Sequence, residues 1–171
     1  MGLCSRLITT PLGNMFAVAD SRGLVLCEFH DRPMLPLQVQ RVERICGGTP
    51  VEGTNGILDQ TQRELNEYFL GQREDFTIPL ILDGTPFQSR VWRALRDIPY
   101  GATESYGALA ARIGDPKAVR AVGLANGANP ISIIIPCHRV IGSNGSLTGY
   151  GGGLPTKRAL LDLEQGQRAL L

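Results

Sequence analysis

Three short stretches rich in apolar residues, 6–10, 14–20 and 24–30, are separated only by Pro11-Leu12-Gly13 and Ser21-Arg22-Gly23. Connections that short cannot carry a crossover, so the stretches are predicted to be antiparallel strands of a small sheet. The apolar face of such a sheet needs a cover. Residues 57–70 supply one: Leu58, Leu65 and Phe69 share a helical face, and Gly71 can take the left-handed conformation that ends a helix. In between, residues 47–56 are rich in Gly, Thr and Pro and read as a connection. With 43% hydrophobic residues, 171 residues suffice for a buried core. No apolar run approaches the roughly 18 residues of a membrane span, and residues 1–10 lack the apolar segment of a secretory signal. A soluble, cytoplasmic protein with no membrane partner is expected.

Charge divides the chain. Residues 1–83 hold 7 Lys and Arg against 11 Asp and Glu, a net −4, whereas residues 84–171 hold 10 against 5, a net +5. The sign changes after an extended connection, 76–84, which sets a domain boundary near Gly84 and makes the second half the one suited to a polyanion. The expected fold is α/β (α+β): an N-terminal scaffold domain, 1–83, of sheet and covering helix, and a mostly helical domain, 84–171.

In that second half, Thr85 caps and Pro86 opens a helix through Phe87, Val91, Trp92 and Leu95 that stops before Pro99. Residues 105–113 read as a short helix stopped by Gly114. Asp115-Pro116 then opens another, predicted to run to about Ala128. Two short helices so joined form either a helix-turn-helix or an ordinary helical hairpin. Beyond Asn129-Pro130, residues 131–135 read as a buried strand-like run, followed by Pro136-Cys137-His138-Arg139-Val140, a Ser143-Asn144-Gly145 turn and a last helix over 155–165.

Four cysteines, at 4, 27, 46 and 137, show no Cys-x-x-Cys pair and no disulfide frame, as suits a reducing compartment. A thiol becomes a nucleophile as the thiolate, which needs a base or a positive field beside it. Cys137 alone has an adjacent His, a flanking Pro and a basic neighbour, Arg139. His138 is its base partner by elimination, since His30 lies in the acidic half, and a bridging water suits the pair better than direct contact. Glu164 shares a face with Leu160 and Leu161. It either holds the His138 imidazole or reaches solvent from the boundary of the core. Cys27 and His30, with Cys4 and Cys46, have poor spacing for zinc, so no metal is expected.

The run Ile135-Pro136-Cys137-His138-Arg139-Val140 resembles the signature of O6-alkylguanine-DNA alkyltransferases, also called methylated-DNA-protein-cysteine methyltransferases. The resemblance extends over FQSRVW at 87–92, Ser105-Tyr106, PKAVRAVG at 116–123, Asn129-Pro130, Gly149-Tyr150 and Glu164, and reaches the first half through Thr10-Pro11-Leu12-Gly13. It implies a DNA repair protein that flips a damaged guanine out of the duplex and moves the alkyl group of O6-alkylguanine, and of O4-alkylthymine, onto Cys137, once and irreversibly, without a cofactor. By the same resemblance His138 is the water-linked base and Glu164 its orienting partner. Tyr106 hydrogen-bonds guanine N3, the carbonyls of Cys137 and Val140 accept from the exocyclic amine, Tyr150 lines the pocket, and the Gly151 amide donates to O6. Ser132 and Thr148 stand where some members have Pro and Gly; the first change removes an apolar wall and the second adds a branched side chain beside the base, which implies resistance to free O6-benzylguanine.

The implied partner is double-stranded DNA, entered through the minor groove by a monomer. Ala118, Ala121, Val122, Gly123 and Ala125 would make the entering helix slim. Arg120 would replace the flipped base in the stack, and Lys117 lies beside it. Asn129 would be the hinge between this helix and the nucleophile. Three other readings differ in class: an alkyltransferase-like protein that binds the lesion without repairing it, which would lack Cys137; a cysteine hydrolase built on Cys137-His138; and a sequence-specific transcription factor, for which only Arg120, Asn126 and Lys117 offer base-reading side chains.

Overall fold

The computed structural model describes residues 2–166, which form two compact units that divide between Asp83 and Gly84. In the first unit, strands β1 (Cys4–Thr10), β2 (Gly13–Ala19) and β3 (Leu24–Phe29) pair antiparallel, Cys4 facing Ala19 and Met15 facing Phe29. The tight first turn is set by Thr10, whose hydroxyl donates to the Gly13 carbonyl at 2.6 Å and accepts from the Leu12 amide at 3.1 Å. All six residues of β3 are buried.

Two elements in this unit depart from the sequence reading. A helix α1 (Leu35–Cys46) packs on β3, and a two-residue strand β4 (Val51–Glu52) adds parallel to β1 within the stretch read as a connection, giving the order β3-β2-β1-β4. Helix α1 has no side-chain cap at Met34, but Pro36 in its first turn, Gly47 in the left-handed conformation at its end and the face of Leu35, Val39, Val42 and Cys46 are signals that the sequence reading did not use. The predicted covering helix is α2 (Gly56–Phe69), packed across β1, β2 and β3. Buried Asn55 caps it: its Oδ1 accepts from the Leu58 amide at 2.8 Å, and its Nδ2 donates to the Ala19 carbonyl at 3.0 Å. One side chain thus starts the helix and fastens it to the sheet.

The second unit is built from α3 (Pro86–Leu95), β5 (Glu104–Ser105), α4 (Tyr106–Arg112), α5 (Val119–Gly127), a 3-10 turn at Cys137–Arg139, β6 (Val140–Ile141) and α6 (Leu154–Glu164). Thr85 and Gln88 form a reciprocal capping box on α3, with Pro86 at the helix start. The indole of Trp92, 1% exposed, donates to the Ala125 carbonyl at 2.9 Å and pins α3 to α5.

Helix α5 starts later than the sequence suggested. The Ala118 amide closes on the Asp115 carbonyl at 2.9 Å, so Pro116 and Lys117 lie in a turn, and Ala118 caps α5 without a side-chain bond. Residues 131–135 are likewise not a strand. They make a buried tight turn in which the Ile134 amide bonds the Ser132 carbonyl and the Ile135 amide the Ile131 carbonyl, with Ile133 at φ 72. Among the described residues, no helix is long and apolar enough to cross a membrane.

Asn55→Ala deletes a cap and a buried bond together. It should cost about 2 kcal/mol in denaturant unfolding, and a loss under about 0.5 kcal/mol would show that neither bond holds the helix to the sheet.

Candidate active site

The site is assembled around a backbone turn. Asn129, 1% exposed, accepts from the Ile131 amide at 2.9 Å through Oδ1 and donates to the Ile135 carbonyl at 2.8 Å through Nδ2. It closes both ends of the 131–135 turn. A β-branched residue at positive φ is strained, and this brace holds Ile133 there. The Cys137 amide then bonds the Ile135 carbonyl at 2.8 Å, and the 3-10 turn delivers Cys137, His138 and Arg139 in succession, all buried.

Helix α6 supplies what these side chains meet. Pro155 lies in its first turn, and Leu160, Leu161 and Leu163 are buried, yet so are Lys157 and Glu164, seven residues apart and therefore on one face. Glu164 accepts from Arg139 Nε at 2.8 Å, from Arg139 Nη2 at 3.1 Å and from His138 Nε2 at 2.7 Å. Arg139 also donates to the Ile98 carbonyl at 2.7 Å. Burial raises the Glu164 pKa, but the charges and hydrogen bonds of His138 and Arg139 outweigh it and bring the carboxyl down to about 2. Glu164 is thus an ionised acceptor, and Nε2 of His138 carries the proton it receives. The other ring nitrogen, Nδ1, is buried without a hydrogen-bond partner among the described residues.

The parallel pair β5–β6 sets Glu104 beside Val140 and so carries Tyr106, at the start of α4, to the turn of Cys137. Ser105 caps that helix by accepting from the Ala108 amide at 3.0 Å. The Tyr106 phenol donates to the Thr148 carbonyl at 3.1 Å. Burial and the nearby Cys137 raise its pKa, against bonds with Thr148 and Asn126 that lower it, so the phenol keeps its proton.

Lys157 escaped the sequence reading. It is fully buried, donates to the Val140 carbonyl at 2.6 Å and to the Thr148 carbonyl at 3.0 Å, and lies 5.9 Å from the centre of the Tyr106 ring. Burial lowers its pKa, while Cys137 acts to raise it. The available signal was its place on the Leu160, Leu161 and Glu164 face. Asn126 moves the other way: it is 4% exposed and donates to the Cys137 carbonyl at 3.4 Å, so it cannot read bases from the surface.

Val122 and Ala125 of α5 also face inward, whereas Arg120 and Ala121 are exposed and Gly123 is half-buried. Lys117 is exposed and Ala118 half-buried, both ahead of the helix. Ser132 is buried in the 131–135 turn, Thr148 is exposed, and Tyr150 and Gly151 are half-buried in the loop before α6. Among the described residues no three His, Cys, Asp or Glu side chains gather as a metal site, and Cys4, Cys27, Cys46 and His30 form no cluster. Burial pushes the Cys27 and Cys46 thiols up, away from the thiolate.

Residues 86–166 match the DNA-binding domain of 6-O-methylguanine DNA methyltransferases, and residues 3–82 match their ribonuclease-like domain. A methylated-DNA-protein-cysteine methyltransferase of Mycobacterium leprae is 45% identical over 162 residues, which cover 95% of this chain and 92% of that protein. The chain belongs to this methyltransferase family. A crystal structure of Mycobacterium tuberculosis O6-methylguanine methyltransferase superposes with a TM-score of 0.83 at 45% identity, over 98% of this chain and 95% of that one. A structure of M. tuberculosis OGT in complex with DNA gives 0.82 at 45% identity, over 95% and 93%.

The depressed Glu164 carboxyl has a measurable consequence. Because its pKa is lower folded than unfolded, it adds stability above about 4.5, and that stability is lost as pH falls through about 2. The wild type should lose up to about 3 kcal/mol across this window. In Glu164→Gln, which should be less stable at neutral pH, the loss over the same window should be much smaller. Equal acid slopes in urea titrations would assign the wild-type loss to other groups.

Proposed function

We propose that this methyltransferase repairs DNA by taking the alkyl group of O6-alkylguanine, and of O4-alkylthymine, onto Cys137 in one irreversible turnover. The observation that carries the reading is the state of His138: Nε2 is committed to an ionised Glu164, which leaves the buried Nδ1 as the acceptor for a proton. The Cys137 thiol passes its proton through a water to that nitrogen, and the thiolate attacks the alkyl carbon. A carbon–sulfur bond forms as the carbon–O6 bond breaks, and the electron pair moves into the purine. Tyr106 turns from the Thr148 carbonyl to protonate N3, so guanine leaves neutral. The proton held by His138 restores the phenol by way of solvent, and no cofactor is consumed.

The carbonyls of Cys137 and Val140 select guanine by its exocyclic amine, the Gly151 amide donates to O6, and Tyr150 closes the pocket, with Ser132 and Thr148 setting its width. A thioether is a poor leaving group, so each molecule reacts once. The partner is double-stranded DNA, met by α5 through the minor groove. Arg120 fills the gap left by the flipped base, with Ala121 and Gly123 against the groove and Lys117 and Ala118 at its edge. Exposure of Arg120, Ala121 and Lys117 supports this reading, as does the net +5 of residues 84–171. The protein works as a monomer in the cytoplasm, where its four cysteines stay free.

Intact-mass analysis after mixing with methylated duplex should show one added methyl group per molecule, mapped to Cys137. A group on another cysteine, or one accepted by Cys137→Ser, would overturn the assignment. Arg120→Ala should slow reaction with duplex DNA about tenfold or more while sparing reaction with free O6-methylguanine base. Equal losses on both substrates would remove Arg120 from flipping.

A further inference from the structure

Asn126 is the polar residue of α5 that the mechanism above leaves without a task. It is 4% exposed, on the inward face with Val122 and Ala125. Its Nδ2 lies 3.4 Å from the Cys137 carbonyl, its side chain is near enough to the Tyr106 phenol to act on its pKa, and its Oδ1 is buried without a hydrogen-bond partner among the described residues. A buried acceptor without a partner costs about 1 to 3 kcal/mol. A Leu or Met would fill the place without that penalty, so the amide must be useful for its donor.

We propose that Asn126 is a positioning residue for alkyl transfer, its amide joining α5 to the backbone of the nucleophile and to the phenol that protonates the leaving base. The inference rests on the function proposed above. Cys137 attacks one side of the alkylated base while Tyr106 serves its N3 edge, so their separation must match the purine. They come from different elements, the 3-10 turn and α4, and Asn126, on a third, bonds the first and lies near the second. The Trp92 bond to Ala125 fixes the neighbouring residue of α5 against α3, so the amide is held from a rigid support.

The test is single-turnover transfer from methylated duplex, measured over a range of duplex concentrations for wild type, Asn126→Ala and Asn126→Asp, each well below its melting temperature. Asp keeps the shape of Asn but, when ionised, removes the donor. Both variants should lower the maximal rate about tenfold, the scale of one buried hydrogen bond, while the half-saturating duplex concentration stays within about twofold. Reaction with free O6-methylguanine base should fall by the same factor, because the amide acts at the reacting groups. As pH is lowered, Asn126→Asp should regain rate relative to wild type, since a protonated carboxyl can donate again. A loss confined to half-saturation, or a maximal rate unchanged in either variant, would overturn the proposal and leave Asn126 a packing residue. Absence of transfer in the wild type would overturn the underlying function instead.

Discussion

Glu164 ends α6, where a carboxylate faces the negative pole of the helix and should be disfavoured. It is stable there because Arg139 grips it with two nitrogens and His138 with a third. Those bonds keep the carboxylate ionised in a place from which water is excluded, and the ion fixes everything around it. Arg139, held at its other end by the Ile98 carbonyl, ties the stretch after α3 to the turn of Cys137. His138 is fixed in orientation and tautomer by a residue 26 positions away, which leaves Nδ1 as the ring nitrogen open to a proton. A buried ion pair gains little over a well-packed apolar pair, and breaking it costs several kcal/mol. Its presence is better explained by the tautomer it sets than by stability.

Lys157 mirrors this arrangement two turns earlier. An ammonium near the start of a helix also opposes the dipole, yet Lys157 is fully buried with its charge spent on the Val140 and Thr148 carbonyls. Seven residues of helix span about 10 Å. Helix α6 therefore acts as a straight edge against which the segment from His138 to Thr148 is held at two points. Thr148 accepts from both Lys157 and Tyr106.

What could be read from the chain follows which interactions are local. Helix α3 was visible because Thr85 and Pro86 carry its start signal side by side, and α2 because its apolar face is continuous. The pairing of His138 with Glu164 was one of two readings until the carboxylate was found buried. By contrast, β4 is two residues that exist only by pairing with β1 and carry no local signal. Helix α1 was overlooked although Pro36 opens it and Gly47 ends it, because it has no side-chain cap at Met34. The run 131–135 looked like a strand because five buried residues have the same composition in either conformation. Its turn is dictated by Asn129, which bonds both ends from outside the run. Lys157 was missed because a lysine among leucines usually reaches solvent.

The small residues of α5 bear a different meaning in three dimensions. Ala118, Val122 and Ala125 seemed to slim the helix for a groove, but Val122 and Ala125 point inward and Ala118 precedes the helix. Their size lets α5 approach α3 closely enough for the Trp92 indole to reach the Ala125 carbonyl. A side chain at Gly123 would meet the Tyr106 ring at 4.0 Å, so that glycine adjoins the phenol as well as the surface. The outward face is left to Arg120, Ala121 and Leu124, the last 72% exposed. Slimness therefore works mainly on the inside: it brings a surface helix against the elements that hold Cys137 and Tyr106. The same nine residues can thus meet a large external partner on one face and reach Cys137 through Asn126 on the other.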